Sequence, residues 1–270
     1  MEHDDISIKI LTKTNCIAMK NYFFLILIIS VSLGSCNKVK ETDHSLTFEE
    51  YQKLGMPEYN KVWNMEDYSN AFYVLNTLKY GKAKTLPTRE SEKSGVLFSR
   101  MISMDNLSFL QDETLPLWAR ADMIKWFVNT MLDLKVAYTI FGMERQYYVR
   151  ELMDIDIFRV RVAQEMLDLG NKLYESDDPS DVMMQADFSK IQKMYVDIIL
   201  ELLEIQQHTD QYPRETLELL GDSLSTSVRS NMHWFDADAS ESLKKAMRTV
   251  MDNSSSRKIR SDYRELTEIL

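Results

Sequence analysis

The chain is poor in the residues that form turns. Only seven of its 270 residues are glycine and five are proline, and neither an Asn-Gly nor an Asp-Gly pair occurs. Runs that alternate apolar and polar residues, which are typical of half-buried strands, are also missing. These absences argue against a β-sheet protein and predict an all-α fold.

Motifs of several enzyme classes are absent as well. The sequence has no Gly-x-Ser-x-Gly elbow, phosphate-binding glycine loop, His-Glu-x-x-His motif or dinucleotide fingerprint. Acid pairs such as Asp154/Asp156 and Asp177/Asp178 are common in acidic helical proteins and do not by themselves indicate a glycosidase. The sequence therefore favours a protein without enzymatic activity, and it predicts no cofactor.

Positive charge is in deficit. The chain has 32 Lys and Arg residues against 42 Asp and Glu residues, which gives a formal net charge of −10. Such a chain is repelled by phosphate backbones, so a nucleic acid is not an expected partner. It also gains nothing from anionic lipid headgroups, so membrane attachment would have to come from a covalent lipid.

The most apolar run lies near the N-terminus, in the segment MKNYFFLILIISVSLGSC of residues 19–36. It begins with a basic residue, Lys20, continues with an apolar stretch and ends in small residues before Cys36. Its apolar part has about a dozen residues, whereas a membrane-spanning helix needs roughly 20. This layout is typical of a secretory signal peptide.

The residues Leu33-Gly34-Ser35-Cys36 resemble the lipobox of bacterial lipoproteins. The resemblance covers residues 19–36 only. It implies that the signal peptide is cut before Cys36, that Cys36 carries lipid such as palmitate, and that the protein resides in the bacterial cell envelope. Because Asn37 rather than Asp follows the cysteine, it also implies the outer membrane as the default, with a periplasmic or surface-exposed face.

The first 18 residues fit this interpretation poorly, because Glu2, Asp4 and Asp5 replace the expected positive charge. The simplest explanation is that translation starts at Met19, and a long, unusual leader is the alternative. Removal of residues 1–35 takes three basic and three acidic residues and leaves Cys36 as the only cysteine. A mature chain with one lipidated cysteine has no disulfide, no thiol catalysis and no Cys-based zinc site.

After the leader, residues 36–46 are predicted to form the lipidated cysteine and a polar tether, and residues 47–270 a single helical domain. Thr47 and Glu50 form a capping-box pattern that opens a helix ended by Gly55. Gly81, Gly142 and Gly221 also follow apolar stretches and are predicted to end helices. The spacing of apolar residues predicts an irregular bundle of about seven to nine helices, with the three longest as its core. Besides the first helix, the predicted helices cover 65–79, 91–104, 116–141, 144–174, 187–210, 214–230, 241–252 and 258–269.

One combination of side chains could bind a metal ion. Glu201, Glu204 and His208 lie within two turns of one predicted helix. Helical di-metal sites use a Glu-x-x-His motif on paired helices, whereas here Glu204 and His208 are four apart and no second copy occurs. The three also point away from the apolar stripe, so we interpret them as a solvated flank and predict no metal site.

Two further patterns have ordinary structural explanations. Asp236 and Asp238 lack the glycine and the distal glutamate of a calcium loop, and Asp238 or Ser240 is predicted to cap the helix near residue 241. Met101 and Met104 have the spacing found in copper carriers, but the 17 methionines of the chain are scattered along apolar stripes. They are predicted to fill the core.

Arg159 is the one charged residue in an otherwise apolar series. Two explanations stay open: its long side chain reaches solvent from the helix interface, or it forms an ion pair with a carboxylate of helix 116–141 or helix 187–210. Neither explanation gives Arg159 a chemical role. The apolar residues of the series are Tyr148, Leu152, Ile155, Val162 and Met166.

The sequence thus favours a non-enzymatic, lipid-anchored envelope protein that binds another protein. A narrower alternative is an immunity-type lipoprotein, because an acidic surface would complement a basic toxin. A second alternative is an envelope hydrolase that uses carboxylates, which would require buried acidic groups in a deep pocket.

Overall fold

The computed structural model describes residues 45–81, 85–139, 148–179, 181, 188–208 and 210–270. Cys36, the signal-peptide region, most of the tether, His44 and Gly142 lie outside the described residues. The lipidation of Cys36 therefore stays a prediction. Residues His44–Leu270 belong to one compact unit.

The described residues form nine α-helices and two short 3-10 helices, and they contain no strand, which confirms the all-α prediction. None of the nine has both the length and the hydropathy needed to span a bilayer. The 3-10 helices cover Met104–Gln111 and Met232–Trp234. The α-helices are α1 Phe48–Lys53, α2 Met65–Lys79, α3 Gly95–Met101, α4 Leu117–Tyr138, α5 Val149–Tyr174, α6 Phe188–Gln207, α7 Arg214–Asn231, α8 Ala237–Asn253 and α9 Arg257–Ile269.

Helix α5 is at the centre of the bundle. It packs against α4, α6 and α7, while α2 packs on α4, and α8 and α9 cover α6 and α7. The apolar stripes predicted from the sequence face this centre, because residues such as Met131 of α4, Val162 of α5 and Leu202 of α6 are fully buried. The prediction that these three helices form the core is confirmed.

The start of α1 follows the sequence pattern closely. The Thr47 hydroxyl accepts a hydrogen bond from the Glu50 amide, and the Glu50 carboxylate accepts one from the Thr47 amide. Gly55 has a φ of 98°, a left-handed conformation that costs glycine less than any residue with a Cβ. The predicted capping box and the glycine after α1 are both confirmed.

Three local predictions are wrong. Gly221 lies inside α7, where a Cβ would come within 3.0 Å of the Gln206 amide nitrogen, so it serves close helix packing rather than a helix end. Asp236, not Asp238 or Ser240, caps α8 and accepts from the Ala239 amide. The predicted helix 91–104 is the shorter α3, and a 3-10 helix continues from Met104.

The long helices are also shorter than predicted. Helix α4 ends at Tyr138 rather than near 141, and α6 ends at Gln207 rather than near 210. The N-cap residue of α4 is Pro116, whose side chain accepts no hydrogen bond from the helix amides. Instead the buried carboxylate of Asp181 accepts a hydrogen bond from the Trp118 amide (3.3 Å) and another from the Ser176 hydroxyl (2.7 Å).

The irregular segment 85–89 is attached to the bundle through its main chain. Its partners are side chains from α1, α4 and the start of α5, which satisfy main-chain groups that no helix or sheet would satisfy. The bonds run from Tyr51 to the Thr85 carbonyl (2.6 Å), from Tyr138 to the Pro87 carbonyl (2.7 Å), from the Leu86 amide to Tyr148 (3.2 Å) and from the Arg89 amide to Glu151 (2.8 Å).

Glu151 gives this attachment a pH dependence. Burial raises the pKa of its carboxyl group, so folding disfavours the charged form. A carboxyl group with a raised pKa contributes most to stability below its unfolded value, near 4.3, and this contribution declines as the pH rises through its folded value. We expect Glu151→Gln, which keeps an acceptor for the Arg89 amide, to be at least as stable as the parent at pH 7 and to show a flatter stability profile between pH 4 and 7.

The measurement is a series of thermal melts across this pH range, with the exposed Glu92→Gln as the matched control. The control should reproduce the parent profile. A Glu151→Gln variant that melts well below the parent at pH 7 would show that the charge itself stabilises the segment.

Candidate functional site

An apolar cleft opens where α2, the first 3-10 helix and α4 meet, and the sequence at the start of α2 explains one wall of it. Asn64 caps α2 by accepting from the Glu66 and Asp67 amides, and Asp67 accepts from the Asn64 amide in return. Trp63 before the cap packs edge-on against Tyr68, with 5.4 Å between ring centroids. This capping box with its hydrophobic staple fixes the chain that enters α2 and holds Trp63 in the cleft wall.

The floor of the cleft is a closed network of hydrogen bonds. Buried Asn106 accepts from the Trp63 amide (2.9 Å) and donates to the Tyr68 hydroxyl and the Arg100 carbonyl (2.8 Å each). The Tyr68 hydroxyl donates to the Met101 carbonyl (2.7 Å), and burial raises the pKa of Tyr68 well above its usual value. Because these polar groups satisfy one another, the floor offers little to a polar ligand.

The cleft has a volume of about 400 Å³, within the range of about 300–1,000 Å³ that is usual for ligand pockets. Among the residues that the structure describes, Glu66 is its only charged lining residue and Ser108 its only hydroxyl. No histidine, cysteine or second carboxylate of the described chain lines it. The cleft is suited to hold an apolar group, and its hydrophobic lining residues are Val62, Trp63, Met65, Phe109, Met123, Trp126 and Phe127.

The second notable feature is a group of four charges that joins α4, α5 and α6. The Arg159 guanidinium of α5 donates to both oxygens of Glu201 on α6 (3.1 and 2.8 Å) and to Asp156 on its own helix (3.0 Å). Lys135 of α4 contacts the carboxylates of Asp156 and Glu201 at 2.9 and 3.0 Å. The side chain of Arg159 is 4 % exposed, so the ion-pair explanation is correct and the solvent-reaching one is wrong.

Glu201 is correspondingly not part of a solvated flank. Its side chain is 43 % exposed, and the hydrogen bonds from Arg159 lower its pKa to about 2. Glu204 and His208 are exposed, and neither has a place in this charge network. Among the residues that the structure describes, no three His, Cys, Asp or Glu side chains are grouped to hold a metal ion.

A groove lies between α4 and α6, with Arg159 among its lining residues. Its volume is about 310 Å³. Val128 and Leu132 line it from α4, and Met194 and Ile198 from α6. Charged side chains of α6 also line it, which distinguishes it from the apolar cleft near Trp63.

A third depression has a carboxylate in its lining, but that carboxylate is already paired with an arginine. Asp154 and Arg161 are among the residues that line it, and the Asp154 carboxylate accepts two hydrogen bonds from the Arg89 guanidinium (3.0 Å each). Nearby Glu151 is occupied by the Arg89 amide and does not line this space. The arrangement holds the segment 85–89 in place.

The other candidates from the sequence are structural. Met101 is fully buried, and Met104 packs against the core, as predicted for core methionines. Asp236 is a helix cap. His233 is exposed and lies against Trp234, with 4.5 Å between ring centroids.

The spacing of apolar residues over 116–141 predicts a buried helix but does not identify the cleft. The one usable signal was the run Trp63-Asn64 followed by Asp67 and Tyr68, the pattern of a capped helix with a hydrophobic staple. Asn106 carried no local signal, because its role depends on groups that are distant in sequence.

The charge network predicts how the protein responds to loss of Arg159. Arg159→Met would leave buried Asp156 and half-buried Glu201 with Lys135 alone, and we expect a loss of about 3 kcal/mol in the free energy of unfolding. Glu201 has a lowered pKa, so its contribution is present above its unfolded value and is lost as the pH falls towards 2. The stability of the variant should therefore fall less steeply than that of the parent between pH 4.5 and 2, near the ordinary carboxyl range.

Chemical denaturation at several pH values measures both effects. Arg161→Met is the matched control, since Arg161 is an exposed arginine on the same helix, and its change should stay within about 0.5 kcal/mol. Equal stability of the two variants at pH 7 would contradict a structural role for the network.

Comparison with protein-family models, curated proteins and solved structures finds no match to this chain. Any function must therefore be argued from the cleft, the groove and their chemistry.

Proposed function

We propose that this protein is a lipid-anchored lipoprotein of the bacterial envelope, attached through Cys36, and that its helical domain binds a segment of another protein in the apolar cleft. The observation that carries the proposal is the composition of the cleft. Its walls are apolar and aromatic, and the polar groups of its floor hydrogen-bond to one another.

The exposed residues at the mouth of the cleft support binding of a partner that stays partly outside it. Met65 and Val62 are 47 % and 46 % exposed, although both are apolar lining residues. Large apolar side chains that border a concave, aromatic surface are typical of interaction sites. A side chain inserted between Trp63 and Trp126 would gain apolar contact and would not have to break the hydrogen bonds of Asn106.

Charge indicates the kind of segment. Within the described part of the chain, the carboxylate Glu66 is the only charged residue in the lining, and the chain as a whole has a net charge of −10. This favours a segment that inserts one or two large apolar side chains and has lysine or arginine beside them. A basic toxin neutralised by an immunity-type lipoprotein would be one partner of this class.

Photocrosslinking in the native membrane tests the cleft. A photoreactive amino acid at Met65 should give an adduct with one discrete protein, and the same amino acid at Val96 should not. Both residues are exposed and apolar, and both lie in the first turn of a helix, but only Met65 lines the cleft.

A pair of substitutions completes this test. With the photoreactive group at Val62, Met65→Glu should abolish the adduct, because a carboxylate in the cleft mouth opposes apolar insertion. Val96→Glu should leave the adduct unchanged. Acidic residues are favourable in the first turn of a helix, so neither change should lower the melting temperature. Adducts that are identical at Met65 and Val96 would contradict the proposal.

Lipidation of Cys36 has its own test. Metabolic labelling with a palmitate analogue should mark the parent protein and not Cys36→Ala, because the thiol is the proposed attachment point. Cys16→Ala is the matched control and should keep the label. Label that persists on Cys36→Ala would overturn the anchor.

A further inference from the structure

The face of α6 that lines the groove carries an ordered row of charges, in which Glu201 is half-buried and already accepts from Arg159 and Lys135. Lys190 and Lys193 lie towards its start, and Asp197 and Glu201 lie one and two turns further on. All four line the groove between α4 and α6. Their spacing of three or four residues places them on one face of the helix, over about 16 Å of its axis at about 1.5 Å per residue.

This row is complementary to itself when it is reversed. If a second α6 lies antiparallel with the two-fold axis near Tyr195, Lys193 lies opposite the partner's Asp197, and Lys190 lies opposite the partner's Glu201. The two-fold axis repeats each pair, so both chains use the same surface. The pair Lys193 and Asp197 is centred on residue 195, and the pair Lys190 and Glu201 is centred between residues 195 and 196, so one axis serves both pairs to within half a residue.

Apolar residues accompany the charges. Leu132 and Val136 are 42 % and 52 % exposed and lie one turn apart on α4, and Leu132 lines the groove beside the charged row. Met194 and Ile198 line the same groove from α6. An antiparallel α6 of a second copy would place apolar contacts in the groove and charges around them, the usual distribution in a protein interface.

We propose that the protein forms a two-fold symmetric dimer in which α6 of each copy packs antiparallel against α6 of the other, beside α4. This assigns the groove between α4 and α6 to a second copy of the chain. It goes beyond the proposed function, because the cleft near Trp63 is lined by other residues and remains available to a partner.

The central pair gives a sharp test. Within one chain Lys193 and Asp197 are 74 % and 56 % exposed and contact each other at 2.7 Å. Lys193→Glu would create two Glu–Asp contacts across the axis, and Asp197→Lys would create two Lys–Lys contacts. Either change should raise the dissociation constant of the dimer at least about tenfold.

The double variant Lys193→Glu/Asp197→Lys restores opposite charges at both contacts and should dimerise like the parent. Each single variant also loses the ion pair within α6, and the double variant keeps it in reversed order, so recovery of the double variant alone does not distinguish dimer contacts from helix stability. A mixture of the two single variants does, because neither chain regains its internal pair. An equimolar mixture of the two single variants should also dimerise, because every contact across the axis then joins opposite charges.

Sedimentation velocity of the full-length chains in one mild detergent, over a range of protein concentrations, measures all five samples. Arg257→Glu/Arg264→Glu is the control for net charge and should dimerise like the parent, since α9 packs on α7 and α8. Overturning results are a parent that stays monomeric at every concentration, or single and double variants that associate equally.

Discussion

The fold depends on the contact between Arg159 and Glu201. Helices α4, α5 and α6 face one another with apolar stripes, and such stripes alone tolerate sliding by a turn. A one-turn slide of α6 along α5 would move Glu201 about 5.4 Å from the Arg159 guanidinium and leave that buried charge with Asp156 as its remaining partner. Lys135 adds the same constraint from α4, so four charges from three helices favour the observed register.

This register determines where the functional surfaces form. With α4 held against α5, Phe127 faces Tyr68 of α2 at 5.2 Å between ring centroids, and Trp126 lines the cleft beside it. With α6 held by Glu201, the exposed charges of α6 lie alongside Leu132 of α4. The cleft and the groove are thus two consequences of one packing arrangement, on different sides of α4.

The sequence predicted those parts of the fold that depend on local spacing. The helix over residues 65–79, the three core helices and the capping box at Thr47 all follow from patterns within a few turns. Arg159 was recognised as an exception in an apolar seam. Glu201 was predicted to be solvated because it lies about 100° from the apolar stripe of α6. The spacing of residues along one helix gives no information on an arginine that extends to it from another helix.

Other features are non-local and carry no pattern in the sequence. Asp181 caps α4 from more than sixty residues away along the chain. Asn106 satisfies Trp63, Tyr68 and Arg100 at once, and that role exists only after α2 and the first 3-10 helix have packed. The predicted helix end at Gly221 was wrong for the same reason, since Gly221 is needed for the close approach of Gln206 and Ile259 rather than for a turn.

The proposed lipid anchor and the two proposed surfaces support one another physically. A lipid at Cys36 would confine the chains to a membrane surface, and confinement raises their effective concentration without adding any contact. A modest interface through α6 would then be enough for dimerisation on the membrane. A dimer in turn presents two apolar clefts, so a partner with two basic, apolar segments could bind with avidity that a single cleft of about 400 Å³ could not supply. The shallow, half-exposed mouth at Met65 is consistent with a site that relies on such multiplicity rather than on deep enclosure.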